Sequence, residues 1–204
     1  VLVALMAVWL LTSADGLPAA AQPAEGSLIR AVRQGNSVST VAQLLEEGAD
    51  VNASEPDGTT ALHWAVQADA HNTARRLIAA GASVGTANRY GVTPLALAAT
   101  NGSPNMVRAL LAAGAAPDAT TPGGDTPLMI AARTGRVEVL RQLLVAGAAV
   151  NAAERWKGQT ALMWAAAEGN DEAILTLLAA GANIEARSAG QLNPLLFGVR
   201  QGHT

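Results

Sequence analysis

A three-residue pattern recurs along this chain at a nearly constant interval. Thr60-Ala61-Leu62, Thr93-Pro94-Leu95, Thr126-Pro127-Leu128, Thr160-Ala161-Leu162 and Asn193-Pro194-Leu195 open successive blocks spaced 33, 33, 34 and 33 residues apart. A second marker keeps the same beat: Gly48-Ala49, Gly81-Ala82, Gly114-Ala115, Gly147-Ala148 and Gly181-Ala182. Self-similarity at this period specifies a stack of like supersecondary units, each covering its neighbour, and not a globule around one centre.

The block from Gly91 to Asp118 shows the local logic. Gly91 lets the chain turn, Thr93 suits a helix N-cap, and Pro94 suits the first helical position, where no backbone donor is needed. Leu95, Ala98 and Ala99 share one face of a short helix that Gly102 ends. Pro104 opens a second helix with Val107, Leu110 and Leu111 at helical spacing, and Gly114 closes it. Stacking predicts three layers in a shared core. They are Leu62, Leu95, Leu128, Leu162 and Leu195; Ala65, Ala98, Ala131 and Ala165; and Leu44, Leu77, Leu110, Leu143 and Leu177.

Half of the 204 residues are hydrophobic but only 3% are aromatic, and most of the apolar content is Ala, Leu and Val, small to medium aliphatic side chains that permit close helix packing. Charged residues make up 14%, and the net charge of -3 gives no basic footprint for nucleic acid. With no cysteine, disulfides, thiolate metal sites and cysteine nucleophiles are excluded. The three histidines, His63, His71 and His203, lack the i, i+4 spacing of a helical zinc site, and no phosphate loop or nucleophile elbow occurs. Catalytic, cofactor and metal residues are therefore expected to be none.

Residues 1–11 form an unbroken apolar run followed by small polar residues and a Pro/Ala-rich stretch through Gly26. The run is short for a membrane span and suits the core of an export signal, with cleavage after Ala14 or after Ala21. The expected organisation is an export segment with linker at 1–26 and a repeat domain at 27–204. Export to a bacterial periplasm is the expected location, with a membrane anchor at residues 1–11 as the alternative.

The sequences Thr126-Pro127-Leu128…Ala131-Ala132…Gly135 and Leu44-Leu45…Gly48-Ala49-Asp50-Val51-Asn52 resemble the ankyrin repeat. The resemblance runs over about 27–204, as repeats at about 27–57, 58–90, 91–123, 124–157, 158–190 and a partial one at 191–204. It implies an all-α solenoid of antiparallel helix pairs joined by β-hairpin loops, five repeats plus a truncated sixth. His63, at the fourth motif position, is implied to be structural. The hairpin tips and the solvent side of the first helices are implied to line a concave protein-binding face. Carried over by position, the candidate binding residues are Asp57, Arg89, Tyr90, Asp125, Arg133, Arg155, Trp156, Lys157, Gln159 and Glu168. Trp156 and Tyr90, each beside an arginine, have the composition of interface anchors. Trp64 and Trp164 read as inter-repeat packing.

Several positions depart from the pattern. Asp69 stands where a glycine would end a helix, which predicts a less regular turn there. Gly85 and Asp118 stand where Asn52 and Asn151 stand in other repeats, and the segment Glu154–Gly158 carries one extra residue. The second helix of the last repeat has no sequence, leaving Leu195, Leu196 and Phe197 without part of their cover and making the chain read as a piece of a longer one. The function expected is a monomeric, non-catalytic scaffold binding an unknown protein partner, without nucleic acid or membrane insertion of the repeats. A second reading makes the repeats the recognition module of an enzyme whose catalytic domain lies beyond residue 204, and a third makes them a spacer.

Overall fold

A computed structural model of the protein describes residues 25–202. Most of the segment 1–26 expected to carry an export signal, the membrane-anchor alternative at 1–11 and His203 lie outside the described residues. The remainder forms five helix pairs and a final single helix: α1 Glu25–Arg33 with α2 Val38–Glu46, α3 Ala61–Gln67 with α4 His71–Ala79, α5 Pro94–Asn101 with α6 Pro104–Ala112, α7 Pro127–Arg133 with α8 Val137–Val145, α9 Ala161–Glu168 with α10 Asp171–Ala179, and α11 Pro194–Gln201. The molecule is an all-α helical solenoid. Among the described residues none of the connecting loops contains a β-strand; only two isolated antiparallel bridges occur, Ser54 with Thr60 and Ala153 with Thr160. The expected β-hairpins are thus turns with at most one bridging pair.

Helices of seven to nine residues are marginal alone, so their ends are closely specified. Thr93 Oγ1 accepts the Ala96 N–H at 3.2 Å, and Thr126, Thr160 and Asn193 cap α7, α9 and α11 in the same way. Prolines fill the first turn of α5, α7 and α11. Gly102 and Gly169 close α5 and α9 in the left-handed conformation. Asp69 does the same after α3, with φ of 52°. Its N–H donates to Val66 O and that of Ala70 to Ala65 O, the pairing that Gly102 and Ser103 make one repeat later. The turn expected to be irregular is regular, because aspartate tolerates this conformation at modest cost.

The core runs the length of the stack. Leu62, Leu95, Leu128 and Leu162 are buried, as are Ala65, Ala98, Ala131 and Ala165, and Leu77, Leu110, Leu143 and Leu177. Leu44 is half-buried. Leu195 breaks its layer at 72% exposed, Leu196 is also exposed, and Phe197 is instead buried against Met163 and Ala166. The first helices pack more closely on one another than the second helices do. Their alanines allow that approach, and a stack closer on one side curves toward that side. The loops flank this inner face.

Loops of adjacent repeats are also bonded to one another. Asn52 Nδ2 donates to Gly81 O and Asn52 Oδ1 accepts from Ser83 N, and Asn151 makes the same two bonds to Gly181 and Asn183. At the tips, Arg89 N–H donates to Asp57 O, Arg155 N–H to Gly123 O and Ala189 N–H to Lys157 O. Asp118 accepts from Ala149 N but has no donor to offer. At one junction, between loops 82–92 and 115–125, both kinds of bond are missing among the described residues. Gly85 has no side chain to reach across, and Pro122 stands where the tip N–H would be. Gly91 and Pro122 are pressed together there; a Cβ on Gly91 would lie 2.2 Å from Pro122 Cδ.

Candidate protein-binding site

The loop carrying the extra residue is organised by one buried carboxylate. Glu154 Oε2 accepts from Trp156 N at 2.6 Å, and Oε1 accepts from Lys157 N at 2.7 Å and Gln159 N at 3.1 Å. Burial pushes this carboxyl up, but the three backbone donors and nearby Lys157 outweigh it and hold the group below its usual value. The loop is therefore ordered from within, and it leaves Trp156 78% exposed at the tip. The Trp156 side chain is held out to solvent by the clamp beneath it.

Beside this loop lies a groove of about 210 Å³ lined by Gly123, Asp125, Arg133, Glu154, Trp156, Lys157, Gln159 and Trp164. It brings together five of the ten candidate residues: Asp125, Arg133, Trp156, Lys157 and Gln159. Arg155 is exposed next to it, with its N–H tied to the Gly123 carbonyl. Gln159 departs from the exposed position expected of it. It is buried, 7% exposed, because its backbone closes the inserted loop with both Glu154 Oε1 and the Glu154 N–H. Its Oε1 has no hydrogen-bond donor among the described residues.

The remaining candidates lie elsewhere. Arg89 and Tyr90 form a pair one loop away, with the guanidinium over the ring at 5.0 Å from its centre and donating to the Tyr90 hydroxyl at 2.8 Å. Tyr90 is 57% exposed. Asp57, half-buried, accepts from Thr59 N at 2.9 Å; that bond holds its carboxyl below its usual value. Glu168 is exposed at the end of α9. The candidates thus fall into a groove cluster near Trp156, an Arg89–Tyr90 pair, and Asp57 and Glu168 outside both.

Trp64 and Trp164 pack half-buried against the core, as their periodicity implies, but each also carries an arginine from the preceding repeat. The Arg33 guanidinium lies 5.4 Å from the Trp64 ring centre and that of Arg133 lies 5.2 Å from Trp164. These pairs were not anticipated, although their signal is in the sequence: each Arg precedes its Trp by 31 residues, and the pairs stand 100 residues apart. His63 is structural. Thr60 N–H donates to its Nδ1 at 3.2 Å, so the proton sits on Nε2, which donates to Val92 O at 3.0 Å. Burial lowers its pKa. Among the described residues no group of acidic, histidine or cysteine side chains has the arrangement to hold a metal, and no helix is long and apolar enough to cross a membrane.

Fold and site define a helical-repeat scaffold that displays side chains from its loops and inner helices. The family model described as ankyrin repeats (3 copies) matches residues 28–121 and 113–188, and the chain belongs to the ankyrin-repeat family. No curated protein matches it closely enough to count as a relative. Ankyrin repeats are generally protein-protein interaction modules, and the fold is typically non-catalytic.

Proposed function

We propose that this chain is a non-catalytic scaffold that binds a partner protein on the face made by its loops and first helices, centred on Trp156. The observation that carries this reading is the Glu154 clamp. A buried carboxylate spends three backbone hydrogen bonds to hold one loop in a shape that leaves a tryptophan almost bare. A large apolar side chain held that way costs little further ordering when a partner covers it. The Arg89–Tyr90 pair, equally preformed, is a second anchor along the same row of loops. The proposed setting is an exported monomeric protein, with residues 1–26 as signal and linker ahead of a repeat domain from 27 onward. Neither nucleic acid nor a metal is needed for this function.

Affinity capture from a periplasmic extract tests the reading, comparing the chain with Trp156→Ala and Tyr90→Ala. Both residues are exposed, so folding should be unaffected. A specific partner retained by the parent and lost from Trp156→Ala supports the proposal. A partner set unchanged in both variants contradicts it and favours a spacer.

A further inference from the structure

The two Arg–Trp pairs are copies of one arrangement, and the first copy contains a third member. Glu55 Oε1 accepts from Arg33 Nη1 at 2.9 Å while its Oε2 accepts from Trp64 Nε1 at 2.9 Å. One carboxylate therefore satisfies both the cation and the indole N–H lying beneath it. In the second copy the residue in the place of Glu55 is Glu154. Each opens its loop by donating its N–H to the residue before the capping threonine, Glu55 to Thr59 O and Glu154 to Gln159 O. The extra residue in the second loop changes what the carboxylate does, since Glu154 turns to the loop's own N–H groups. Trp164 Nε1 is left buried without an acceptor and Arg133 without an ion pair among the described residues. Both face the 210 Å³ groove.

We infer that this groove takes a carboxylate from outside: a Glu or Asp side chain in an acidic segment of the partner protein, seated between Arg133 and the Trp164 indole as Glu55 is seated between Arg33 and Trp64. The inference rests on the proposed protein-binding role and adds the chemistry of the partner. An unpartnered buried N–H is costly, and a charge-assisted bond to a carboxylate is the strongest way to satisfy it. Arg155 and Lys157, exposed beside the groove, add positive charge. Two acidic groups oppose it. Glu154 is already committed to three backbone donors, and Asp125 accepts weakly from the Thr121 hydroxyl at 3.4 Å. Arg133 lies over the Trp164 ring, so the incoming carboxylate meets the guanidinium first and gains the shielded N–H as Arg133 draws aside.

The test is an indole ¹H–¹⁵N spectrum of the full chain titrated with the blocked tripeptide acetyl-Ala-Glu-Ala-amide. Its glutamine counterpart serves as the uncharged control. The Trp164 indole signal, assigned by its loss in Trp164→Phe, is expected to shift saturably with the Glu peptide only. The Trp64 signal, already bonded to Glu55, stays in place. Arg133→Gln, at an exposed position, is expected to weaken the Glu-peptide response by about tenfold, and Asp125→Asn to strengthen it. No saturable Trp164 shift, or the same shift with the Gln peptide, overturns the inference. If Trp156→Ala loses the captured partner while the Glu peptide leaves Trp164 unmoved, the carboxylate site falls and the scaffold function stands. If the Glu peptide binds but capture is unaffected by both Trp156→Ala and Tyr90→Ala, the carboxylate site stands and the scaffold function falls.

Discussion

At the scale of single residues, two buried titratable groups contribute to the chain's response to acid. His63 is kept neutral because burial penalises its cation, and its folded pKa lies below the ordinary 6.5. Below pH 6.5 the unfolded chain takes up a proton that the folded chain refuses. His63 therefore stabilises the fold fully only above that pH, and the contribution is lost as pH falls toward its folded value. Glu154, depressed below its ordinary 4.5, adds a second loss at lower pH, as the carboxylate clamping the loop becomes protonated. Stability from urea unfolding, measured from pH 7 down to pH 2, should fall in two steps, the first below pH 6.5 and the second below pH 4.5. The first should have a slope of at most about 1.4 kcal/mol per pH unit. His63→Gln should remove that step, and a first step unchanged in the variant would refute the assignment. Glu154→Gln places an amide N–H against backbone donors and should cost about 1–3 kcal/mol at pH 7. It should also release Trp156, read as a change in its fluorescence. The role of Glu154 was not legible in the sequence, where the insertion was visible but not the side chain that folds it. Gln159 is buried as its counterpart Thr59 is, because in both loops the residue before the capping threonine closes the loop through its backbone carbonyl, which position in a repeat alone does not reveal.

At the scale of elements, the loop row is bonded, among the described residues, at every junction but one. Asn52, Asp118 and Asn151 reach across their junctions, and Arg89, Arg155 and Ala189 add tip bonds. The junction of loops 82–92 and 115–125 has neither. Gly85→Asn should install the missing bridge, because its backbone is not in the left-handed region and its Cβ would meet open space. Stabilisation of about 1 kcal/mol is expected from the new bonds and the reduced freedom of the unfolded chain; an unchanged or lowered thermal midpoint would count against the bridging role. Gly91→Ala tests the contact that replaces those bonds. With φ of 70° and Pro122 at 2.2 Å, it should cost at least about 1–3 kcal/mol. Here the sequence was informative, since Gly85 and Asp118 stood out as departures at the asparagine position. Helix boundaries, caps and the leucine and alanine layers were legible too, because a strict period forces each position to repeat its environment. Asp69 departs from the expectation, since the rule that glycine ends a helix states a preference, and aspartate takes up the same left-handed conformation with the same two backbone bonds.

At the scale of the whole molecule, each repeat is covered by its neighbours, and the proposed binding role falls on the inner face the stack creates. The repeat period made the architecture legible. The duplicated Arg–Trp pairs were legible only as a shared 31-residue spacing, because their members meet only once repeats are stacked. Hydrogen exchange of the chain with and without its captured partner measures most directly whether that face is the working one. The account predicts slowed exchange in the loop Glu154–Gln159, in the loop carrying Arg89 and Tyr90, and in α7 and α9, with α6, α8 and α10 unchanged. Slowing confined to those second helices, where Val145 and Leu175 lie exposed, would contradict it.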